Sequence, residues 1–240
     1  ALRLFKSVDP GLVINLAAMT NVDECELNTD AAFRANTLTV QNIVDATKAH
    51  GLKPFFIHFS TDQLYDNRFP STEENVVIQN HYSMTKYAGE LALRSVPSMI
   101  LRTNFFGRST TENRKSFTDW MYNCTSEQGC LNLFDDVYFN PLHISTVCEL
   151  LDVFIKRRKT GIFNLGSANG MSKAQFGAIF LSALGFDTNC IKPISVEENT
   201  KLIAKRPKFM LMNVSKLEKT FGITLPNLED EIKKCDEEFN

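Results

Sequence analysis

The chain has 240 residues, 43% hydrophobic and 22% charged, with 11 Gly, 8 Pro and a formal charge of −2. That composition excludes collagen-like, low-complexity and strongly disordered chains, and the balanced charge excludes a global electrostatic footprint for nucleic acid or an anionic membrane. The length suits one large domain, or one domain with a small lobe, whose core needs no staples.

The opening residues Ala1 to Lys6 lack the long apolar stretch of a secretory leader. No apolar run approaches the roughly 18 residues of a membrane span. Leu12 to Ala18 reads as a buried strand, apolar on both faces as parallel strands are. A helix is expected from Thr29 to His50, with Ala32, Ala35, Leu38, Ile43, Val44 and Ala46 on its apolar face and Gly51 ending it. Pro54 to Phe59 is a second strand, closing on the polar Ser60-Thr61-Asp62. His81 to Arg94 is a second helix and Met99 to Thr103 a third strand. The alternation predicts an α/β fold, a Rossmann-type doubly wound parallel sheet with crossover helices.

Beyond Phe106 the rhythm changes. Short segments near Leu131–Phe134, His143–Ile144 and Gly161–Leu165 alternate with helices around Thr146–Lys156, Ser172–Leu184 and Leu228–Glu238. Residues 1–106 are therefore read as the cofactor-binding part. Residues 107–240 are read as mainly a small α+β substrate lobe, with some segments returning to the main domain. The basic run Lys156-Arg157-Arg158-Lys159 sits at a helix C-terminus, where cations suit the helix dipole. Six cysteines (25, 124, 130, 148, 190 and 235) form no CxxC pair and read as reduced thiols of a cytoplasmic protein. Isolated histidines and scattered carboxylates show no metal-ligand spacing, so no catalytic metal is expected.

The chemistry concentrates in Tyr82-Ser83-Met84-Thr85-Lys86. A Tyr and a Lys four apart share one helix face, so the ammonium can lower the phenol from its free value of about 10. Such a Tyr is a proton donor or acceptor near neutral pH. A hydroxyl from Ser60 or Thr61, at the carboxyl end of a parallel strand, would hold the reacting oxygen in the crevice where open α/β sheets bind ligands.

Five ordered elements carry a family resemblance. Asn15-Leu16-Ala17-Ala18-Met19-Thr20-Asn21-Val22-Asp23 with Cys25-Glu26 resembles the NxAAxTxVDxxE stretch of dTDP-4-dehydrorhamnose reductases, which are extended short-chain dehydrogenases/reductases. Phe59 to Asp66 resembles their STDxVFDG element, and Asn80 to Glu90 their NxYGxTKxxGE helix. Leu101 to Gly107 is similar to their RTSWVYG strand. Arg206-Pro207, Leu211-Met212-Asn213 and Lys216-Leu217 resemble their RPxxSxLDxxKL signature.

The resemblance implies reduction of the 4-keto group of a nucleotide-linked deoxysugar by NADPH, with NADH possible. Tyr82 would be the proton donor, Lys86 would lower its pKa and bind the nicotinamide ribose, and Thr61 would hold the keto oxygen. Ala17, Ala18, Met19 and Phe59 would line the cofactor. Asp62 and Phe105 would meet the sugar, and Asn140 would border the nucleotide end. Phe105 and Phe106 also read as core residues. The partners implied are the nucleotide sugar and a second copy in a homodimer, with no nucleic acid or membrane.

Three features depart from the family pattern. The glycine-rich phosphate loop is not in the sequence, so a preceding segment is expected, the other reading being a truncated or non-catalytic binding homologue. Asp66 to Ser71 is short. Gln63 stands where the related dehydratases carry an acid, which disfavours dehydration. Epimerases use the same Tyr–Lys pair but usually lack the Ser-Thr-Asp triplet.

Overall fold

The computed structural model describes residues 5, 7–111 and 114–239. Phe5 apart, the opening hexapeptide read as lacking a leader lies outside the described residues. Four strands, β1 (Leu12–Asn15), β2 (Phe55–Phe59), β3 (Ser98–Thr103) and β8 (Gly161–Leu165), form an all-parallel sheet in the order β1-β2-β3-β8. Gly161–Leu165, grouped by its spacing with the smaller lobe, is thus the fourth strand of the main sheet. The remaining strands pair in twos: β4 (Phe105–Phe106) with β7 (Leu142–His143), β5 (Leu131–Phe134) with β10 (Ile191–Ile194), and β6 (Tyr138–Phe139) with β9 (Met171–Ser172).

Helices cover both faces of the main sheet, as a run of apolar parallel strands requires. In chain order they begin with α1 (Val22–Leu27) and α2 (Thr29–Phe33), which continues through a π turn (Arg34–Leu38) into α3 (Thr39–Ala49). Then come α4 (His81–Ala92), α5 (Phe117–Gln128), α6 (Ile144–Arg157) and α7 (Lys173–Ala183). The short α8 (Ser215–Phe221), α9 (Leu228–Lys233) and α10 (Asp236–Phe239) end the chain. Phe55, Ile57, Phe59, Met99, Leu101 and Phe163 pack against Phe154 of α6 and Leu217 and Phe221 of α8. Phe56 and Ile100, on the opposite face, meet Val40 and Val44 of α3 and Leu93. A separate apolar cluster, built from segments after β3, has Phe106, Met121, Leu133, Phe139, Phe176 and Phe180 at its centre. Among the described residues no helix is long and apolar enough to cross a membrane.

β1 departs from expectation. It is shorter than the apolar run, and Ile14 and Leu16 are 36% and 64% exposed. The physical reason is its place: β1 is the edge of the described sheet, paired only with β2.

The helix that presents Tyr82 starts where it does because Asn80 caps it. The Asn80 side chain accepts from the Ser83 N–H at 2.8 Å, and Ser83 Oγ accepts in return from the Asn80 N–H, a reciprocal box that satisfies otherwise orphaned donors. The π turn upstream lets α4 approach closely. A Cβ at Gly89 would sit 2.5 Å from the Asn36 carbonyl oxygen, so only glycine fits that crossing.

Candidate active site

Three elements meet at the carboxyl end of β2. Thr61 and Asp62 follow the strand, Tyr82 and Lys86 project from α4, and Met19 and Cys25 approach from the β1 side. Thr61, Asp62, Tyr82 and Lys86 are all buried. The Tyr82 ring packs in a cluster with Val22, Cys25, Ala32 and Ala204, with Met19 against it. The Thr61 side chain lies close to the Tyr82 phenol. Thr61 Oγ1 also accepts from the Gln63 N–H at 3.1 Å and donates to Asp62 Oδ1 at 3.3 Å.

Of the two hydroxyls left open by the sequence, Thr61 is therefore the one that faces Tyr82. Ser60 turns away and donates to Glu90 Oε1 at 2.5 Å. Asp62 receives a hydrogen bond from Asn104 Nδ2 at 2.7 Å. Burial pushes its carboxyl up to about 6, against the downward pull of Asn104, the nearby Lys173 ammonium and Thr61.

The electrostatics of the Tyr–Lys pair correct the sequence expectation. Tyr82 is pushed up to about 12, chiefly by burial; the Thr61 side chain pulls it down, and Asp62 and Cys25 push it further up. The ammonium of Lys86 donates to the Phe59 carbonyl at 2.7 Å, and burial, opposed by Glu90, brings Lys86 down to about 8. Desolvation thus sets the direction of both shifts, and the Lys86 charge that the four-residue spacing predicts to act on Tyr82 is not among the influences on the phenol. His58, beneath Lys86 on β2, is held neutral at about 3 by burial first and by the Lys86 charge second.

Among the other predicted residues, Ala17 is exposed and Ala18 half-buried after β1. Met19 is fixed through its backbone: its N–H donates to Asn36 Oδ1 at 2.8 Å and its carbonyl accepts from Asn36 Nδ2 at 3.1 Å. Asn36 Nδ2 also reaches Thr85 Oγ1 at 3.0 Å, tying the π turn to the helix of Tyr82. Phe59 is buried and joins the site by its carbonyl rather than its ring. Phe105 is 49% exposed, while Phe106 is a core residue.

Asn140 corrects another expectation. It is buried with its amide committed to backbone, donating to the Ser167 and Met212 carbonyls at 2.9 and 3.0 Å and accepting from the Met212 N–H at 3.0 Å. It clamps three segments together, and its side-chain amide is engaged within the protein. The short Asp66–Ser71 turn is closed by Asn67, which donates to Ser71 Oγ at 2.9 Å.

Asn36, Asn104 and Lys173 were not singled out by the sequence reading. Asn36 left one signal, a polar residue four positions from both Ala32 and Val40 on the apolar face of a helix. Asn104 and Lys173 left none, because only the fold brings them to Asp62.

A hydroxyl at the end of a parallel strand, facing a Tyr whose helix also presents a buried Lys, within a Rossmann-type sheet, defines a protein of the short-chain dehydrogenase/reductase class. Comparison with known proteins narrows the class. The profile of the RmlD substrate binding domain matches residues 1–240, and the chain belongs to that family. It is 29% identical over 250 residues to the probable low-salt glycan biosynthesis reductase Agl14 of Haloferax volcanii, covering 99% of this chain and 81% of that protein. It is 30% identical over 241 residues to a dTDP-4-dehydrorhamnose reductase of Sinorhizobium fredii, covering 94% and 79%. The fold superposes on the crystal structure of dTDP-4-dehydrorhamnose reductase from Bacillus anthracis in complex with NADP with a TM-score of 0.89 at 22% identity, covering 99% of this chain and 84% of that one.

Proposed function

We propose that this chain reduces the 4-keto group of a nucleotide-linked deoxysugar, with NADPH as reductant and Tyr82 as proton donor. The observation that carries the reading is the buried Tyr82–Thr61 contact beside Lys86, in a chain of this family. The residues present suit the cofactor. Ala17 and Ala18 are small residues at an open strand end, and the Lys86 ammonium has three donors, of which the Phe59 carbonyl takes one. NADPH, when bound, supplies the hydride that reduces C4.

The chain's own part is the proton. With its pKa pushed up to about 12, Tyr82 holds its proton throughout the physiological range and donates it to the C4 oxygen as negative charge develops there. Thr61 holds that oxygen by its hydroxyl. Lys86, anchored on the Phe59 carbonyl, presents its remaining donors towards the cofactor ribose. Asp62 and the exposed Phe105 ring border the sugar. Gln63 has no exchangeable acid proton for elimination of water, which favours reduction over dehydration. All six cysteines are free thiols, which supports the cytoplasmic reading. A homodimer is the proposed assembly.

The test is NADPH consumption with a 4-keto-6-deoxy nucleotide sugar. Tyr82→Phe is expected to lower turnover at least about 100-fold with the fold intact, the scale of a general-acid contribution. Unchanged turnover in that variant would remove Tyr82 from the mechanism. Epimerisation of a nucleotide sugar without net NADPH oxidation would replace the reductase reading.

A further inference from the structure

Three residues remote in sequence converge where β7 meets the C-terminal helices. His143 and Cys235 are buried, Glu238 is half-buried, and one donor atom of each lies within 4.8 Å of the other two. We propose that His143 Nε2, Cys235 Sγ and a Glu238 carboxylate oxygen form a binding site for a divalent transition metal ion of the zinc class. The site goes beyond the reductase reading and shares no residue with the group around Tyr82.

Three observations carry it. The first is the donor set: imidazole nitrogen, thiolate sulfur and carboxylate oxygen are the three ligand types zinc takes, whereas calcium and magnesium select oxygen alone. The second is His143 Nε2 itself. His143 is 2% exposed, yet Nε2 makes no hydrogen bond, although it lies 3.2 Å from Glu238 Oε2. A buried polar atom without a hydrogen bond costs about 1–3 kcal/mol, and metal ligation would satisfy it. The opposite nitrogen, Nδ1, lies 2.8 Å from Ser145 Oγ. Nδ1 also accepts from the Ser145 N–H at 3.3 Å, so the metal-free ring carries its proton on Nε2, and ligation at Nε2 would shift that proton to Nδ1, where Ser145 Oγ can accept it.

The third observation is the backing of the site. Gly107 has a φ of +140°, and a Cβ there would lie 3.4 Å from both His143 Nε2 and Glu238 Oε2 and 2.8 Å from Ile144 Cγ2. The glycine keeps side-chain bulk off the two donors. Glu238 is also oriented from outside: the Arg108 N–H donates to its Oε2 at 2.8 Å.

The negative charges of Glu231 and Asp119 also lie near Cys235. Glu231 is partly offset by Lys234, whose Nζ lies 2.7 Å from Glu231 Oε1. Metal–sulfur bond formation releases the thiol proton to water. Bonds of about 2.0–2.3 Å hold tetrahedral donors about 3.5 Å apart. His143 Nε2 and Glu238 Oε2, 3.2 Å apart, are already at that spacing, and side-chain adjustment within the 4.8 Å cluster would close the set, with water in the fourth position.

The experiment uses the full-length reduced protein, freed of metal and titrated with Co²⁺. Saturable thiolate-to-cobalt charge-transfer absorption with tetrahedral visible bands is expected, and Zn²⁺ should bleach both. Cys235→Ser should abolish the charge-transfer band. Glu238→Gln and His143→Gln should weaken Co²⁺ binding at least about 10-fold. Cys130→Ser and Cys148→Ser, at exposed thiols, should leave the spectrum unchanged. Circular dichroism checks each fold, and if Cys235→Ser fails to fold, the half-exposed Glu238→Gln decides. Absence of saturable binding, a band that survives Cys235→Ser, or unchanged affinity in Glu238→Gln would overturn the site. None of these outcomes bears on NADPH oxidation by the wild-type enzyme, so the two proposals fail separately.

Discussion

Asp62 has a carboxyl raised by burial to about 6, whereas Asp23, Glu26, Glu74 and Asp136 are lowered by their partners. Its effect on stability has a definite sign. In the unfolded chain an Asp titrates near about 3.9. Between that value and about 6 the folded state keeps the proton that the unfolded state has lost, so unfolding becomes easier as pH rises through this window. Asp62 is 2% exposed and solvent screening is small, so a shift of about two units corresponds to about 3 kcal/mol. Asp62→Asn removes that loss while keeping an amide able to meet Asn104. Its stability advantage over wild type, by urea denaturation, should grow from near zero at pH 4 to a few kcal/mol at pH 7. A constant difference across that range would show that Asp62 is not the titrating group. At this scale the sequence was informative about which residue types gather but not about their electrostatics. The Tyr82–Lys86 pair was legible from its spacing, and a hydroxyl from Ser60 or Thr61 from the strand end; the direction of the Tyr82 shift was not, since it depends on desolvation that only the packed Val22, Ala32 and Ala204 create.

The elements explain why several family-like residues are where they are without touching a ligand. Glu90 holds Arg102 of β3 with two hydrogen bonds, at 2.9 and 2.6 Å, and Arg102 also donates to Tyr65 and the Glu73 carbonyl. Gly89 beside it allows α4 to rest on the π turn. Gly89→Ala gains about 1 kcal/mol in helix propensity. It also forces a Cβ to 2.5 Å from a backbone carbonyl that cannot swing aside, an overpacking cost of about 1–3 kcal/mol. The expected net result is a loss of up to about 2 kcal/mol by chemical denaturation, with lower turnover because Asn36 and the α4 residues Tyr82 and Lys86 move together. A stabilised Gly89→Ala with normal activity would show that the crossing has slack. The periodicity made the long helix from Thr29 visible, and Gly51 marks its end with a φ of +67°. It could not reveal the π turn, because Asn36 faces inward for a hydrogen-bonding reason that lies on Met19 and Thr85. Nor could local rhythm assign Gly161–Leu165 to the main sheet, a placement set by its pairing with β3. His143, Cys235 and Glu238 escape any spacing rule for the same reason.

At the scale of the whole molecule, the segment 203–206 is tied to the Tyr82 side of the fold. Asp23 of α1 accepts from the Ile203 and Ala204 N–H groups at 3.1 and 2.9 Å and from Arg206 Nη2 at 2.8 Å, and Asn80 donates to the Lys205 carbonyl at 2.9 Å. Burial pushes the Asp23 carboxyl up, but the Arg206 and backbone hydrogen bonds outweigh it and hold the group below the usual carboxylate range. The tie bears on chemistry because Ala204 packs in the cluster that buries Tyr82, and that burial sets the phenol's high pKa. Hydrogen bonds to a charged group contribute about 1.5–3 kcal/mol each. Asp23→Ala removes three at once while leaving the sheet untouched, so the amides of Ile203 and Ala204 should exchange with deuterium at least about 10-fold faster. Protection of the strand amides in β2 and β3 should stay as in wild type. With the cover loosened, water reaches the phenol and the Tyr82 pKa falls towards its ordinary value, so any alkaline limb of the pH–rate profile governed by this group moves to lower pH. Asp23→Asn keeps one acceptor oxygen for the two backbone donors and loses the charge that holds Arg206, so its exchange rates should lie between those of wild type and Asp23→Ala. Unaltered exchange at residues 203 and 204 in Asp23→Ala would mean that packing of Ala204, rather than the aspartate, holds the segment over the site.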